Sequence, residues 1–490
     1  MTRLADVYRP SLALLTDLYQ LTMAQAYWKS GTADKEAVFH LYFRKHPFEG
    51  GFTIACGLAR ALDHLAHFQV GAEDLAYLGS LAGNDGRPLF DAAFLAELGR
   101  LELACDVDAV PEGTVVFPQE PLLRVKGPIL QAQILETVLL NAVNFETLIA
   151  TKAARICLAA RGEPVIEFGL RRAQGIDGCL SASRAAYIGG CVATSNVLAG
   201  RLYGIPVRGT HAHSWVMSFD SEIESFLAYA EAQPNNCIFL VDTYDSIEGV
   251  KHAIEAGRLL RERGHEMAGI RLDSGDLAYL SIEARRLLDE GGFPKAQIVA
   301  SNDLDEGVIT SLKDQDAAIG VWGVGTRLVT GGNQPALGGV YKLSAVRRPG
   351  GPWKHRVKVS EQAVKVSNPG IQQVRRYEGP EGFLADVIWD EDLGFGPEQV
   401  MIDPLDPTRR RKLPAHASSA DILIPVVRAG RVVYEPPPVP LVRERVRQQL
   451  SRLHAGVKRF VNPHQYPVGL TVPLFDLRSR LILEARGLPV

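Results

Sequence analysis

Apolar and polar positions along the chain change their period several times, and each change marks an expected element. Residues 11 to 31, SLALLTDLYQLTMAQAYWKSG, place apolar side chains at mixed three- and four-residue spacing and stop at Gly31. That pattern predicts an amphipathic helix with a glycine C-cap. From 104 to 134, short β-branched runs are broken by PEG, PQEP and KGP, as in turn-separated strands of a small sheet. Residues 135 to 162 return to helical periodicity and end in Arg161 and Gly162.

Between 164 and 326 the apolar runs are short and recurrent: PVIEF, IPVRG, CIFLV, AGIRL, QIVAS and AIGVWGV, with helical stretches between them. Alternation of this kind implies βαβ units and a parallel sheet. Each run gives way at once to polar or glycine residues: EFGLRR, GTHAHS, VDTYDS, RLDSGD, SNDLDE and GVGTR. In a (β/α) barrel those segments share one face and converge on one mouth. The expected fold is therefore α/β: an irregular (β/α) barrel over 135–344, preceded by an α+β N-terminal domain over 1–134. After 344, proline, glycine and basic residues become frequent (RRPGGPWKHR, DPLDPTRRRK, EPPPVP). They predict a loop-rich C-terminal extension, 345–490, packing on the other two, with EPPPVP as a stiff connector.

Composition narrows the function classes. A chain of 490 residues with 46% hydrophobic content exceeds one compact core. Lys+Arg 53 against Asp+Glu 56 gives a net charge of -3, so no global field attracts nucleic acid or an anionic membrane, and any anion site is local. The six cysteines are scattered without a CxxC pair, which fits a reducing cytoplasm better than a disulfide framework or a cysteine zinc site. The chain has no apolar run of the roughly 18 residues a membrane span needs, and its acidic N-terminal residues do not suit a signal peptide. A cytoplasmic, membrane-free protein is expected.

The strand ends carry the chemistry. In GVGTRLVTGG, the backbone at Gly323, Gly325 and Thr326 offers N–H groups to a phosphate, although such a stretch also serves as a tight turn. No Walker P-loop occurs. RLDSGD sets Asp273 and Asp276 around a tight turn that suits ribose hydroxyls or a Mg²⁺; the competing role for Asp276 is an N-cap. EFGLRR offers the forked donors of Arg171 and Arg172 beside Phe168, whose ring can stack on a flat substrate; an arginine pair also serves as a solvated face. His211 and His213 share a face if extended, as metal ligands would in a barrel hydrolase. The later strand ends VDTYD, RLDSGD and SND lack the further histidines such a centre requires. The alternative is Asp242 orienting the His213 imidazole as a nucleophile or base, with His211 in the core.

In this order the clusters resemble the nicotinate phosphoribosyltransferases of the type II phosphoribosyltransferase group. The matching segments run from TDLYQLTMA through LYFRKHPFEGGF, NFETLIATKAAR, EFGLRRAQGIDG, GTHAHSW, VDTYD, GIRLDSGDL, SND and GVGTRLVTGG to KVSNPG. The resemblance implies formation of nicotinate mononucleotide and pyrophosphate from nicotinate and phosphoribosyl pyrophosphate, the first step of NAD salvage from nicotinate. It also implies a Mg²⁺ requirement and coupled ATP hydrolysis through a phosphohistidine at His213. Asp242 and Asp273 join His213 as catalytic residues. Tyr19, Phe168, Arg171, Thr210 and Ser214 surround nicotinate, Tyr19 reaching in from the partner of a homodimer. Arg271, Asp276, Asn302, Asp303, Gly325 and Thr326 hold the ribose phosphate, Asp273 and Asp276 are candidate Mg²⁺ ligands, and Arg44, Lys45 and Lys365 contact phosphates from the partner chain. The segment TSN (194–196) lacks the carboxylate that nicotinamide-using relatives carry there, which favours the acid. The rivals are a quinolinate-using phosphoribosyltransferase, which has a shorter chain, a metal-dependent barrel hydrolase working through His211 and His213, and a non-catalytic scaffold.

Overall fold

The computed structural model describes residues 12–413 and 416–489. The chain forms two compact units, one of Met1–Thr147, Ala336–Pro437 and Gln448–Val490, the other of Leu148–Pro335 and Pro438–Arg447. The first unit thus draws on segments from both the expected N-terminal domain and the expected extension.

The second unit is built on six short strands: β1 (Val165–Glu167), β2 (Ala193–Thr194), β3 (Ile238–Leu240), β4 (Gly269–Leu272), β5 (Gln297–Ala300) and β6 (Val321–Val324). Every neighbouring pair is parallel, in the order β2-β1-β6-β5-β4-β3. Helices alternate with the strands, and three of them begin on an aspartate at a strand end. Asp245, Asp276 and Asp305 each accept two backbone N–H groups as N-caps of Ser246–Glu262, Leu277–Glu290 and Glu306–Asp314. Much of the acidity at the strand ends is therefore helix initiation.

Among the described residues the ladder does not close into the expected barrel. The run IPVRG makes only an isolated parallel bridge, Thr194 to Val207, because Pro206 has no N–H to continue it. Thr194 N–H donates to the Pro206 carbonyl at 3.0 Å and Arg208 N–H to the Thr194 carbonyl at 3.0 Å. On the other side of this gap the Leu240 N–H of β3 donates to His211 Nε2 at 3.2 Å. An imidazole stands where a strand carbonyl would. The two-residue β2 was too short to show as a periodic run.

In the first unit, a seven-stranded antiparallel sheet runs Lys354–His355, Gly339–Arg347, Glu36–Phe43, Leu123–Pro128, Asp106–Ala109, Ile424–Arg428 and Arg431–Val432. The small sheet expected over 104–134 is its middle. The first described helix is Leu18–Lys29, shorter than the periodic run, with the Asp17 N–H donating to Gln20 Oε1 at 3.0 Å. The second expected helix is Glu136–Ala159.

The expectation of a loop-rich C-terminal extension is corrected. Arg410–Lys412, Val400–Ile402, Val468–Thr471, Gly382–Asp390, Gln372–Gly379 and Ser418–Asp421 form a second six-stranded sheet. Helices Val439–Ser451 and Val472–Ala485 follow in the same stretch of sequence. Proline and glycine sit mostly in the connections, so composition counted the turns and missed the strands. No helix among the described residues is long and apolar enough to cross a membrane.

Candidate functional site

The C-terminal ends of β4 and β5 and the segment that follows Val207 bring four polar side chains into one network centred on Arg271. Its Nη1 donates to Thr210 Oγ1 at 3.0 Å, its Nε to Ser301 Oγ at 2.8 Å and its Nη2 to Asp273 Oδ1 at 2.8 Å. Ser301 donates in turn to the same Asp273 oxygen. Burial alone would raise the Asp273 carboxyl; the Ser301 hydroxyl and the charge and hydrogen bond of Arg271 outweigh it and hold the group below its ordinary value. Asp273 is thus an anion with Oδ1 engaged, while Oδ2 lies 3.7 Å from His213 Nε2.

The two histidines separate cleanly. His211 is 8% exposed, with its ring against Phe226 and Tyr229, and burial lowers its pKa to about 4. Accepting from Leu240 through Nε2 leaves Nδ1 as the protonated nitrogen, directed at the Ala212 carbonyl at 3.5 Å. It is a neutral core histidine. His213 begins a short helical turn, His213–Val216, and its side chain is 40% exposed. Its Nδ1 lies 3.1 Å from Thr243 Oγ1.

The expected Asp242–His213 pairing is corrected, since no hydrogen bond or ion pair joins them. Asp242 Oδ2 instead accepts from the Asp273 N–H at 2.8 Å and from Ser274 Oγ at 2.7 Å, and so fixes the turn after β4. Its Oδ1 is buried without a hydrogen bond. Asp276 Oδ1 caps the next helix, accepting from Ala278 and Tyr279, as the N-cap reading anticipated. Asn302 and Asp303, after β5, hold φ of 109° and 37°, left-handed backbone that clusters at functional sites.

Around the EFG segment, Glu167 is fully buried and accepts from Ser183 Oγ at 2.8 Å, Thr194 Oγ1 at 2.5 Å and the Gly169 N–H. This carboxylate pins the turn that presents Phe168. A Cβ on Gly323 would come within 2.6 Å of the Phe168 ring, so glycine there lets the ring pack against β6. Arg271 stands 5.7 Å from that ring's centroid. Arg171 and Arg172 follow in a 3-10 turn, exposed and without an ion pair among the described residues. Gly325 precedes the helical turn Thr326–Val329, and Ser214 is exposed beside His213.

These residues, with Thr210, all belong to the second unit; Tyr19, Arg44, Lys45 and Lys365 belong to the first. Tyr19 is 47% exposed, and Lys45 and Lys365 are exposed. Sequence reading missed Glu167, Thr243 and Ser301. Each sat inside a quoted motif, but none is marked by residue type. Among the described residues, the one His/Cys/Asp/Glu grouping close enough to share a metal is Cys56, Glu112 and Glu146 of the first unit, away from these strand ends in sequence. There Glu112 accepts from the Gly57 N–H at 2.7 Å and Cys56 Sγ donates to Glu146 at 3.4 Å.

Residues 14–144 match the nicotinate phosphoribosyltransferase N-terminal domain and residues 372–478 match its C-terminal domain. A nicotinate phosphoribosyltransferase of Bacillus subtilis is 40% identical over 482 residues, 97% of this chain and 96% of that protein. The crystal structure of human nicotinic acid phosphoribosyltransferase superposes with a TM-score of 0.83 at 32% identity, covering 95% of this chain and 99% of that one. A nicotinate-nucleotide pyrophosphorylase from Pyrococcus furiosus shares the fold, with a TM-score of 0.70 at 22% identity over 92% of this chain and 99% of that one.

Proposed function

The chain belongs to the nicotinate phosphoribosyltransferase family, and on that premise we propose how its strand-end cluster carries out the reaction. The enzyme joins nicotinate to the phosphoribosyl group of phosphoribosyl pyrophosphate in NAD salvage. The pyridine nitrogen bonds to the anomeric carbon as the bond from that carbon to pyrophosphate breaks, and positive charge develops on the ribose. The observation that carries the reading is the anionic Asp273, fixed by Arg271 and Ser301 and leaving Oδ2 toward the open side of the cluster. A preorganised carboxylate at that point stabilises the developing charge. Arg271, Asp276, Asn302 and Asp303 take the ribose phosphate, with its 5′-phosphate on the backbone at Gly325 and Thr326.

Phe168 stacks on the pyridine ring, faced by Tyr19 of the partner subunit in a homodimer, while Arg171 meets the substrate carboxylate. Thr210 and Ser214 border the ring. Arg44, Lys45 and Lys365 of the partner subunit reach the phosphates. The buried Glu167 is satisfied by its three donors, so its charge is not presented to an anionic substrate.

ATP is the co-substrate. With Nδ1 donating to Thr243, His213 Nε2 carries a lone pair that attacks the γ-phosphorus; the bond to the β-phosphate oxygen breaks and ADP leaves. Asp242 acts at one remove, holding the Asp273–Ser274 turn against that imidazole. Asp273 Oδ2 and Asp276 Oδ2 are hard oxygens on carboxylates whose Oδ1 atoms are already engaged, and they would hold Mg²⁺. Bound there with substrate phosphates, the ion would neutralise phosphate charge. Purified protein given nicotinate, phosphoribosyl pyrophosphate and Mg²⁺ forms nicotinate mononucleotide, and ATP stimulates the rate. In His213→Ala the stimulation and the acid-labile phosphoenzyme both disappear; an undiminished ATP stimulation refutes the role given to His213.

A further inference from the structure

Among the described strand ends of the parallel sheet, only the turn after β5 puts non-glycine residues in left-handed backbone. Asn302 and Asp303 hold φ of 109° and 37°, and neither makes a hydrogen bond of its own among the described residues. Strained backbone of this kind persists only where its surroundings over-determine it. The hold therefore comes from the flanks.

On the upstream side, the Ser301 N–H donates to the Leu272 carbonyl at 2.9 Å and its hydroxyl accepts from Arg271 at 2.8 Å. On the downstream side Leu304 is buried, Asp305 caps the helix Glu306–Asp314, and the Glu306 side chain is buried as well. Glu306 Oε2 accepts from Lys152 Nζ at 2.5 Å, and Oε1 accepts from Arg155 Nε at 2.8 Å. Both cations are themselves buried, on the helix Glu136–Ala159. Burial alone would raise the Glu306 carboxyl; the charge and hydrogen bond of Lys152, then those of Arg155, outweigh it and hold the group below its ordinary value.

The fold does not require a carboxylate at this position. The helices after β3 and β4 also begin on an aspartate N-cap, yet their first residues are Ser246 and Leu277. Nor does stability account for it, since apolar side chains of the same volume often serve as well as a buried ion network, or better. Direction is what the charges add. Each carboxylate oxygen is tied to a different cation, which fixes the rotation of the helix start as well as its depth. Lys152 also borders a second loop: a Cβ on Gly332 would stand 3.9 Å from its Nζ. The Gly332 N–H donates to Thr330 Oγ1 at 3.3 Å, in the segment that begins at Gly325 and Thr326.

We propose that Glu306, clamped by Lys152 and Arg155, is a positioning residue for the phosphoribosyl half of the reaction. It holds the Asn302–Asp303 turn in the form that receives the ribose phosphate, and Lys152 keeps that turn in register with the Gly325–Gly332 segment. The inference rests on the ribose-phosphate role given above to Asn302 and Asp303, so the test separates the two. In Glu306→Gln, KM for phosphoribosyl pyrophosphate rises roughly tenfold while KM for nicotinate stays within about twofold. Amide hydrogen exchange quickens in a peptide spanning 300–306 and not in one spanning 270–276. The milder Glu306→Asp keeps the charge but withdraws it by one methylene; it gives the same split at smaller size, and decides the matter if Glu306→Gln does not fold. An equal rise in both KM values, or unchanged exchange over 300–306, overturns the positioning role. Asp303→Ala is the reference for the underlying reading. If it raises KM for phosphoribosyl pyrophosphate and Glu306→Gln does not, the positioning role alone falls. If Asp303→Ala leaves that KM unaltered, the ribose-phosphate reading falls and takes the substrate role of Glu306 with it, while the exchange result still reports on the clamp.

Discussion

Each unit contains an aspartate held by an arginine, and the two pairs are built for opposite ends. In the first unit Asp386 and Arg376 are 0% and 3% exposed. Asp386 accepts from Arg376 Nε and Nη2 and from the Tyr466 hydroxyl, and Arg376 also donates to Gln449 and to the Val115 carbonyl. In the second unit Asp273 and Arg271 are 29% and 13% exposed, and one carboxylate oxygen points toward His213 without a hydrogen bond. The sealed pair uses its capacity internally. The open pair is oriented on one side and available on the other, which is what binding and charge stabilisation require.

Breaking the sealed pair tests the contrast hardest. Asp386→Asn takes the hydrogen-bonded carboxylate from the buried Arg376 guanidinium and leaves it only the charge of Glu120 nearby, so the free energy of unfolding falls by about 3–5 kcal/mol in urea titration. A change under about 1 kcal/mol would show the pair is not sealed in solution. Asp273→Asn should do the reverse, lowering kcat by roughly 10²–10³-fold with a near-unchanged melting temperature. A large loss of stability with kcat intact would erase the distinction.

The smallest effect concerns the buried histidines, one in each unit. His40 is lowered to about 3, mainly by burial and then by Arg124, and His211 to about 4 by burial. Their unfolded forms, near 6.5, bind protons that the folded forms refuse. The stability at stake is therefore fully present above about 6.5 and declines as pH falls toward the folded values, by about 1.4 kcal/mol per pH unit for each histidine. Urea midpoints at pH 7 and pH 5 measure this slope, and His211→Gln should remove one histidine's share of it. An unaltered slope would place His211 in contact with solvent.

The parallel sheet was legible because its strands are apolar runs that stop abruptly, and the stops put Phe168 and Asp273 directly after strands. The C-terminal sheet was not: QQVRRYEG and FLADVIWD are strands, but the prolines and glycines around them dominate the composition. Barrel closure was misjudged because IPVRG has the apolar character of a strand, while Pro206 removes the donor a ladder needs. At the site, residue type identified the charged groups but not their orientation. Asp242 lies one strand end beyond His213, as expected, yet its oxygen is turned to the 273–274 turn. Thr243 and Ser301, which complete the hydrogen bonding, are common residue types whose role only geometry reveals.

The imidazole standing in the gap between β2 and β3 also sets how this region can move. A closed barrel deforms only as a whole, since each strand is stitched to two neighbours. Here Leu240 is tied to the segment carrying His213 by a single side-chain lone pair, worth on the order of 1 kcal/mol. Parting that bond opens this edge without tearing a ladder, while the Thr210–Arg271 and His213–Thr243 bonds still hold the segment. At this edge of the sheet, side-chain hydrogen bonds to Leu240, Arg271 and Thr243 take the place of a strand ladder.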